Sequence, residues 1–184
     1  MTNTTKVAIK ESIIRLLNRK PLNKITVKEI VDDCGINRNT FYYHYADISA
    51  LLEEIFNEQS NQLLRTVEGK SVYECLTTAI SFALENKTAM LHIYDSPDRE
   101  VLEQYIFRST ERTISDYISC VTAPNRLHPE DAEALVLYYK SLMTGLAVDW
   151  LSGGMKYDLS DKLKRVCELF DGTFESVVKR CRKE

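Results

Sequence analysis

Apolar residues recur every three or four positions along most of the chain, which is the spacing of amphipathic α-helices. Ile9, Ile13, Leu16 and Leu17 show this pattern in the first segment, which Pro21 ends. No stretch of the sequence sustains the alternation of apolar and polar residues that a half-buried strand requires. The pattern therefore predicts an all-α fold of about nine helices.

Helix boundaries are clearly marked in the segment that follows. Thr26 and Glu29 have the spacing of a capping box, in which each residue satisfies a free backbone N–H of the other. Gly35 can take the left-handed conformation of a sharp turn, and Asn37 is a good N-cap for a short helix over residues 38–44. The tight connection predicts a helix-turn-helix, whose second helix presents its N-terminal residues to the DNA major groove.

The short helix has one face for the core and one for a partner. Phe41 and Tyr45 are four residues apart, and we expect both to be buried. Arg, Asn and Thr side chains can contact base edges, while tyrosine hydroxyls, the histidine ring and the start of the preceding helix suit phosphates. The candidate DNA-binding residues are Thr26, Lys28, Arg38, Asn39, Thr40, Tyr42, Tyr43 and His44.

A tight helical corner also occurs in proteins that do not bind DNA. Against that alternative, three tyrosines and a phenylalanine lie within the five positions 41–45. A short surface helix does not need so many aromatic side chains for burial, so some of them must be exposed.

The run from Ile36 to Tyr45, with residues 25–30 before it and Leu51-Leu52 after it, resembles the DNA-binding domain of TetR/AcrR-type transcriptional regulators. The resemblance covers roughly residues 6–60, and residues 97–181 resemble the C-terminal domain of the dihydroxyacetone-kinase regulator branch. It implies a homodimer whose helical body binds an effector and controls DNA binding. The family's DNA contacts would fall on Thr26, Arg38, Asn39, Thr40, Tyr42, Tyr43 and His44.

Two positions depart from the family pattern. Asn39 stands where the family often has glycine, which adds a side chain close to the bases. Ile48 stands where the family usually has a lysine at the start of the fourth helix, so one expected phosphate contact is missing. Each lost phosphate contact reduces the salt dependence of DNA binding by about one unit of slope.

The charge distribution agrees with a DNA-binding head. Lys and Arg exceed Asp and Glu by three over residues 1–48, whereas the remaining 136 residues carry a net charge of −6. We therefore expect a DNA-binding domain at 1–48, with its reading motif at 26–45, and a helical ligand-binding and dimerisation domain at 49–184.

Composition excludes several other classes of protein. With 44% hydrophobic and 28% charged residues, the chain is neither disordered nor collagen-like nor embedded in a membrane. The stretch 134–151 is interrupted by Lys140 and Asp149, and the five cysteines are widely spaced. We therefore expect a cytoplasmic protein without disulfides, metal or cofactor. No phosphate-binding glycine loop, nucleophile elbow or recognisable pair of catalytic carboxylates indicates an enzyme.

The apolar pattern of the last two predicted helices indicates a dimer. A single final helix, capped by Asp158 or Ser160 and reaching Cys181, carries a continuous apolar stripe, and the helix before it is apolar on more than one side. Two such helices per subunit would form a four-helix bundle, although each stripe alone also suits a monomer core. The candidate interface residues are Leu142, Gly145, Leu146, Trp150, Phe170, Phe174 and Val177.

Effector recognition has the weakest signal in the sequence. His92, Tyr94, Tyr105 and Phe107 could line a cavity, but aromatic residues at helical spacing are more often ordinary core. The leading interpretation is a homodimeric repressor that an unknown small-molecule or protein effector releases from an inverted-repeat operator on double-stranded DNA. The alternatives are an activator, or a helical interaction module that acts through a protein partner.

Overall fold

The computed structural model describes residues 2–67, 72–122, 127–170 and 172–181. Over these ranges the chain forms ten α-helices, one short 3-10 helix at Leu22–Lys24 and no strand, which confirms the all-α prediction. The helices are α1 (Thr2–Leu17), α2 (Val27–Cys34), α3 (Arg38–His44), α4 (Ile48–Val67), α5 (Val72–Glu85), α6 (Lys87–Tyr94), α7 (Arg99–Thr122), α8 (Pro129–Ser152), α9 (Leu159–Leu169) and α10 (Thr173–Cys181). Among these helices, none combines the length and apolar character that a bilayer crossing requires.

The prediction of one final helix from residue 158 to Cys181 was wrong. Asp158 does cap a helix there, since its side chain accepts a hydrogen bond from the Asp161 amide, but α9 ends at Leu169 and α10 begins at Thr173. Gly172 lies between them with a φ of 71°, a left-handed conformation that interrupts the helical hydrogen bonds.

The chain divides into two compact units, of which unit 1 comprises Met1–Gln62 and Ala83–Tyr105. Its core is formed by apolar residues of the first four helices together with buried residues of α6 and the start of α7. The hydroxyl of Ser12 donates to the carbonyl of Ile30, which joins α1 to α2. Because α3 has only seven residues, packing must stabilise it. The buried side chains that supply this packing include Ile9, Ile13, Leu17, Ile30, Val31, Phe41, Leu51, Leu52 and Phe56.

Unit 2 comprises Leu63–Phe82 and Ile106–Glu184. Ile114 and Ile118 of α7 and Leu135 of α8 form a buried cluster, against which apolar side chains of α7, α8 and α10 pack. Lys140 of α8 forms a 2.6 Å ion pair with Glu111 of α7 beside this cluster. The long helices α7 and α8 are therefore joined by apolar and ionic contacts within one unit.

Candidate nucleic-acid interface

The start of α2 is held by the predicted capping box. The Glu29 amide donates to the Thr26 hydroxyl oxygen over 3.3 Å, and the Thr26 amide donates to the Glu29 carboxylate over 2.9 Å. Lys20 forms an ion pair with the same carboxylate, and its hydrogen bond, with that of the Thr26 backbone, lowers the pKa of Glu29. Thr26 and Lys28 are both exposed at this helix N-terminus, where a phosphate would meet free amides.

The turn between α2 and α3 depends on Gly35. Its φ of 70° and ψ of 30° are left-handed, and its amide donates to the Val31 carbonyl, as does the amide of Ile36. This geometry ends α2 sharply and lets α3 start three residues later, which confirms the predicted helix-turn-helix.

The start of α3 is capped by Asn37. The Asn37 side-chain oxygen accepts hydrogen bonds from the Thr40 amide over 2.8 Å and from the Thr40 hydroxyl over 3.0 Å. The hydroxyl proton of Thr40 is thus used within the protein, which leaves the lone pairs of its oxygen free to accept further hydrogen bonds.

The two faces of α3 are separated as expected. Phe41 and Tyr45 are buried, whereas Tyr42 is 53% exposed and Tyr43 is 78% exposed. The Tyr42 and Phe41 rings pack at nearly right angles, as do the Tyr43 and His44 rings, so each exposed ring has a neighbouring ring beside it. Of the eight candidate DNA-binding residues, six are exposed and two, Thr40 and His44, are half-buried.

An ion-pair network in unit 1 was not found from the sequence. Lys6 and Lys10 of α1 contact Glu54 of α4, and Lys10 also contacts Glu58. The hydroxyl of Tyr45 donates to Glu54 as well. A signal was present, because two lysines four residues apart on one helix match two glutamates four residues apart on another, at a constant separation of 48 positions.

Three of the four candidate effector residues lie in unit 1. His92 of α6 is half-buried, and its Nδ1 donates to the Leu17 carbonyl over 2.6 Å. The Tyr105 ring stacks on Phe56 with centroids 4.5 Å apart, and Tyr94 is half-buried at the end of α6. His92 is therefore held by a hydrogen bond and Tyr105 by a ring contact within the unit.

The fourth candidate, Phe107, lies in unit 2 and is covered on one face by the Lys140 ammonium, 4.5 Å from the ring centre. Lys140 also lines a groove of about 400 Å³ between α7 and α8. None of the four candidate effector residues lines this groove. Its walls are formed by Glu111, Ser115, Ile118, Ser119, Ala132, Glu133, Val136, Leu137 and Lys140.

Three of the candidate interface residues are exposed in the single chain. Leu142 is 39% exposed and Phe170 is 61% exposed, and Gly145 is open to solvent. Leu137 and Tyr138 of α8 are also exposed. Because Tyr138, Leu142 and Gly145 are spaced four and three residues apart, they lie on one face of α8.

The other candidate interface residues contribute to their own subunit. Trp150 is 3% exposed, and its indole N–H donates to the Tyr157 carbonyl over 2.9 Å. Phe174 and Val177 of α10 pack against the buried cluster of α7 and α8, and Leu146 is half-buried. The free surface of this set is therefore concentrated at Leu142, Gly145 and Phe170.

Comparison with protein families agrees with this architecture in both parts of the chain. Residues 9–55 match the model described as bacterial regulatory proteins of the tetR family. Residues 70–172, more than half of the chain, match the model described as a transcriptional regulator C-terminal region. The protein belongs to the TetR family. It is accordingly a transcriptional regulator of the helix-turn-helix type and not an enzyme.

Similar curated proteins are regulators as well. This TetR-family protein is 25% identical over 150 residues to the transcriptional repressor BdcR of Escherichia coli (strain K12), with 72% of each chain covered. It is 23% identical over 92 residues to the uncharacterised regulator YxbF of Bacillus subtilis (strain 168), covering 50% of this chain and 23% of YxbF.

Solved structures share the fold over nearly the whole chain. The TetR-family protein superposes on the dihydroxyacetone kinase operon activator DhaS with a TM-score of 0.71 and 17% identity, covering 93% of this chain and 96% of DhaS. It superposes on NalD of Pseudomonas aeruginosa, a secondary repressor of a multidrug efflux pump, with a TM-score of 0.59 and 20% identity, covering 91% and 95%. The similarity to the dihydroxyacetone-kinase regulator branch is confirmed at the level of the fold.

Proposed function

We propose that this protein is a homodimeric repressor that binds an inverted-repeat operator through α3 of each subunit and leaves it when an effector binds. The observation that carries the proposal is the exposed face of α3, where polar and aromatic side chains project from a helix anchored by Phe41 and Tyr45. A helix in this position can enter the major groove with its N-terminal residues first.

The exposed residues divide into two groups by the contacts that their chemistry allows. Arg38 can pair with guanine, Asn39 with adenine, and the Thr40 methyl with thymine. Thr26, Lys28, Tyr42, Tyr43 and His44 suit phosphates, which fix the position of the protein on the duplex. Because Asn39 occupies a position that is often glycine in the family, it is our candidate for a base contact particular to this chain.

The dimer is supported by the exposed face of α8 at Tyr138, Leu142 and Gly145, and by Phe170. Large apolar side chains that stay exposed in a single subunit mark an interaction surface when they lie together. A two-fold dimer that reads adjacent major grooves would place its two α3 helices about 34–36 Å apart.

Repression is supported by the similarity to BdcR, which is named a transcriptional repressor. The groove of about 400 Å³ between α7 and α8 offers polar and apolar walls for an effector. Release would require the effector to bind the DNA-free conformation more tightly than the DNA-bound one.

The test is selection of duplex DNA from a random pool with the purified protein, read by sequencing. We expect an inverted repeat to be enriched by the wild-type protein and by the control Arg165→Ala, but not by Arg38→Ala. Both arginines are exposed and both substitutions remove one positive charge, but Arg165 lies on α9. Failure of the folded, dimeric wild type to enrich any sequence in low salt would refute the proposal.

A second candidate is a helical interaction module that acts through a protein partner and whose N-terminal domain no longer binds DNA. The observation in its favour is Ile48, half-buried at the start of α4 where the family usually supplies a lysine. Under this alternative, Thr40→Ala and Tyr42→Ala would leave promoter output in a reporter strain unchanged. The same reporter strain shows whether the protein activates or represses. Deleting the protein lowers promoter output if it is an activator and raises promoter output if it is a repressor.

A further inference from the structure

The residue that follows α3, Tyr45, forms a hydrogen bond with a partly buried carboxylate of α4. Tyr45 follows His44, the last residue of α3, and its hydroxyl donates to Glu54 Oε1 over 3.2 Å. Tyr45 is 4% exposed, and its ring packs beside Phe41. The C-terminal end of the reading helix is therefore held at two points, an apolar ring contact and a polar contact to α4.

The same carboxylate also holds α1. Lys6 Nζ lies 2.7 Å from Glu54 Oε2 and Lys10 Nζ lies 2.6 Å from Glu54 Oε1, while the Lys6 ammonium is 5.4 Å from the centre of the Tyr45 ring. One side chain of α4 thus contacts groups from both α1 and the end of α3. Lys10 additionally contacts Glu58, one turn further along α4.

We infer that Glu54 is a positioning residue for DNA reading, because its carboxylate sets where α3 ends relative to α1 and α4. This inference rests on the proposed function, since it assumes that α3 reads a sequence. At the other end, the Asn37 side chain caps α3 through the Thr40 amide, which is a contact within residues 37–40. The contact between Tyr45 and Glu54 instead links the end of this seven-residue helix to another helix. Movement at this contact would move the exposed side chains of α3 relative to base edges, and hydrogen bonds weaken steeply when their geometry is disturbed.

The protonation states of this cluster keep the hydrogen bond in one form at any pH where DNA binding is measured. Partial burial alone would raise the pKa of Glu54, but hydrogen bonds from Lys10 and Lys6 outweigh it and hold the pKa at about 2. Burial, with the neighbouring Glu54 charge, raises the pKa of Tyr45. Tyr45 therefore stays a donor and Glu54 stays a charged acceptor.

Removing the charge of Glu54 should change operator binding and sequence-independent DNA binding in a pattern that loss of folding would not produce. Glu54 neutralises lysines in the unit that carries the DNA-reading helix. Replacing it with glutamine removes a negative charge there, which strengthens sequence-independent attraction to phosphates. The same change weakens the anchor of α3, so the two kinds of DNA binding should move in opposite directions.

The experiment compares three single variants of the full chain, and the Tyr45→Phe/Glu54→Gln double variant, with the wild type. Each is measured on the operator found by random-pool selection and on a scrambled duplex of equal length. Tyr45→Phe removes one hydroxyl without changing charge, Glu54→Gln removes the charge, and Glu58→Gln is the matched control that loses a carboxylate contacting Lys10 but not Tyr45. Thermal unfolding confirms that each variant is folded at the assay temperature.

We expect Tyr45→Phe to weaken operator binding by about three- to tenfold without changing binding to the scrambled duplex, because one hydrogen bond to a charged group is lost. Glu54→Gln should weaken operator binding by about tenfold and strengthen scrambled-duplex binding by about twofold. In Glu58→Gln the ratio of operator to scrambled affinity should stay within about twofold of wild type, because the anchor of α3 remains.

Two outcomes would refute the role of Glu54 while leaving the proposed function intact. If folded Tyr45→Phe and Glu54→Gln keep the wild-type ratio, Glu54 stabilises the fold and does not position α3. If the losses of the two variants add fully in the double variant, Glu54 does not act through Tyr45. If the wild type enriches no sequence, the proposed function fails first and the inference fails with it, which separates the two.

Discussion

At the scale of single residues, the aromatic run 41–45 shows how one short segment contributes both to the core and to the exposed surface. Phe41 and Tyr45 fill the core because they are four residues apart, while Tyr42 and Tyr43 are turned outward by the helical rotation of about 100° per residue. The exposed rings lie edge-on to Phe41 and His44, so their hydroxyls are presented on supported side chains.

The first residue-scale prediction separates base contacts from phosphate contacts. Asn39→Ala should relax the preference at one base position of the selected operator, at a cost of about 1–3 kcal/mol on the best sequence. Lys28→Ala should weaken binding to all duplexes equally and reduce the slope of log affinity against log salt by about one. Both are measured by fluorescence anisotropy over a salt series, and an equal loss of sequence preference in the two variants would contradict the assignment.

The second residue-scale prediction concerns acid stability. The pKa of Glu54 is about 2 in the folded protein, below its ordinary value of 4.5, so its contribution to stability is complete above pH 4.5 and is lost as the pH falls towards 2. Asp33 acts in the same direction, because a hydrogen bond from the Arg15 guanidinium lowers its pKa. Urea unfolding at pH 6 and pH 3 should show a smaller loss of stability in Glu54→Gln than in the wild type. Equal losses would count against this contribution.

At the scale of helices, local signals predicted the caps of α2 and α3, because capping and left-handed turns involve residues within four positions of each other. Thr26, Gly35 and Asn37 confirm this. The break before α10 was missed because the apolar spacing continues across it, and Gly172 alone does not distinguish a turn from a tolerated helical glycine. The network around Glu54 was missed because Lys6 and Lys10 lie 48 and 44 positions away on α1. The matching four-residue spacing of lysines and glutamates is compatible with such a pairing, but spacing along the chain does not show which helices pack together.

The prediction at this scale is that two glycine substitutions change stability in opposite directions. Gly35→Ala should lower the free energy of unfolding by about 1 kcal/mol or more, because its φ of 70° is unfavourable for a residue with a Cβ, although no atom lies within 4 Å of that Cβ. Gly145→Ala should raise the stability of the single chain by about 0.5–1 kcal/mol, since that glycine lies inside α8 with open space around it. Denaturant titration at a protein concentration where the chain is monomeric measures both, and a gain in Gly35→Ala would contradict the role of the turn.

At the scale of the whole molecule, the two units carry different kinds of surface. Unit 1 carries the exposed α3 residues and the ion-pair network around Glu54. Unit 2 carries the exposed apolar side chains of α8 and the groove between α7 and α8. Sequence reasoning separated a basic N-terminal segment from an acidic remainder and left open whether the effector candidates line a cavity or belong to the core. Within unit 1, His92 makes a hydrogen bond and Tyr105 a ring contact. Amphipathic spacing shows that a side chain faces inward, and only the folded structure shows whether another side chain already fills the space it meets.

The last prediction joins the two units through oligomeric state. If the proposed dimer forms through α8, Leu142→Asp should convert it to a monomer, because a charge on the exposed apolar face of that helix would be desolvated against the second subunit. The matched control is Leu84→Asp, which places the same charge on a residue of α5 that is 46% exposed. Sedimentation equilibrium measures the mass, and anisotropy on the same samples measures operator affinity.

A monomer loses the second half-site and with it the gain from two linked contacts. Operator binding should therefore fall by about 100-fold or more, while binding to a single half-site is retained. A dimeric Leu142→Asp variant with unchanged operator affinity would place the interface elsewhere on the subunit, and full operator binding by a monomer would contradict the two-fold mode of reading itself.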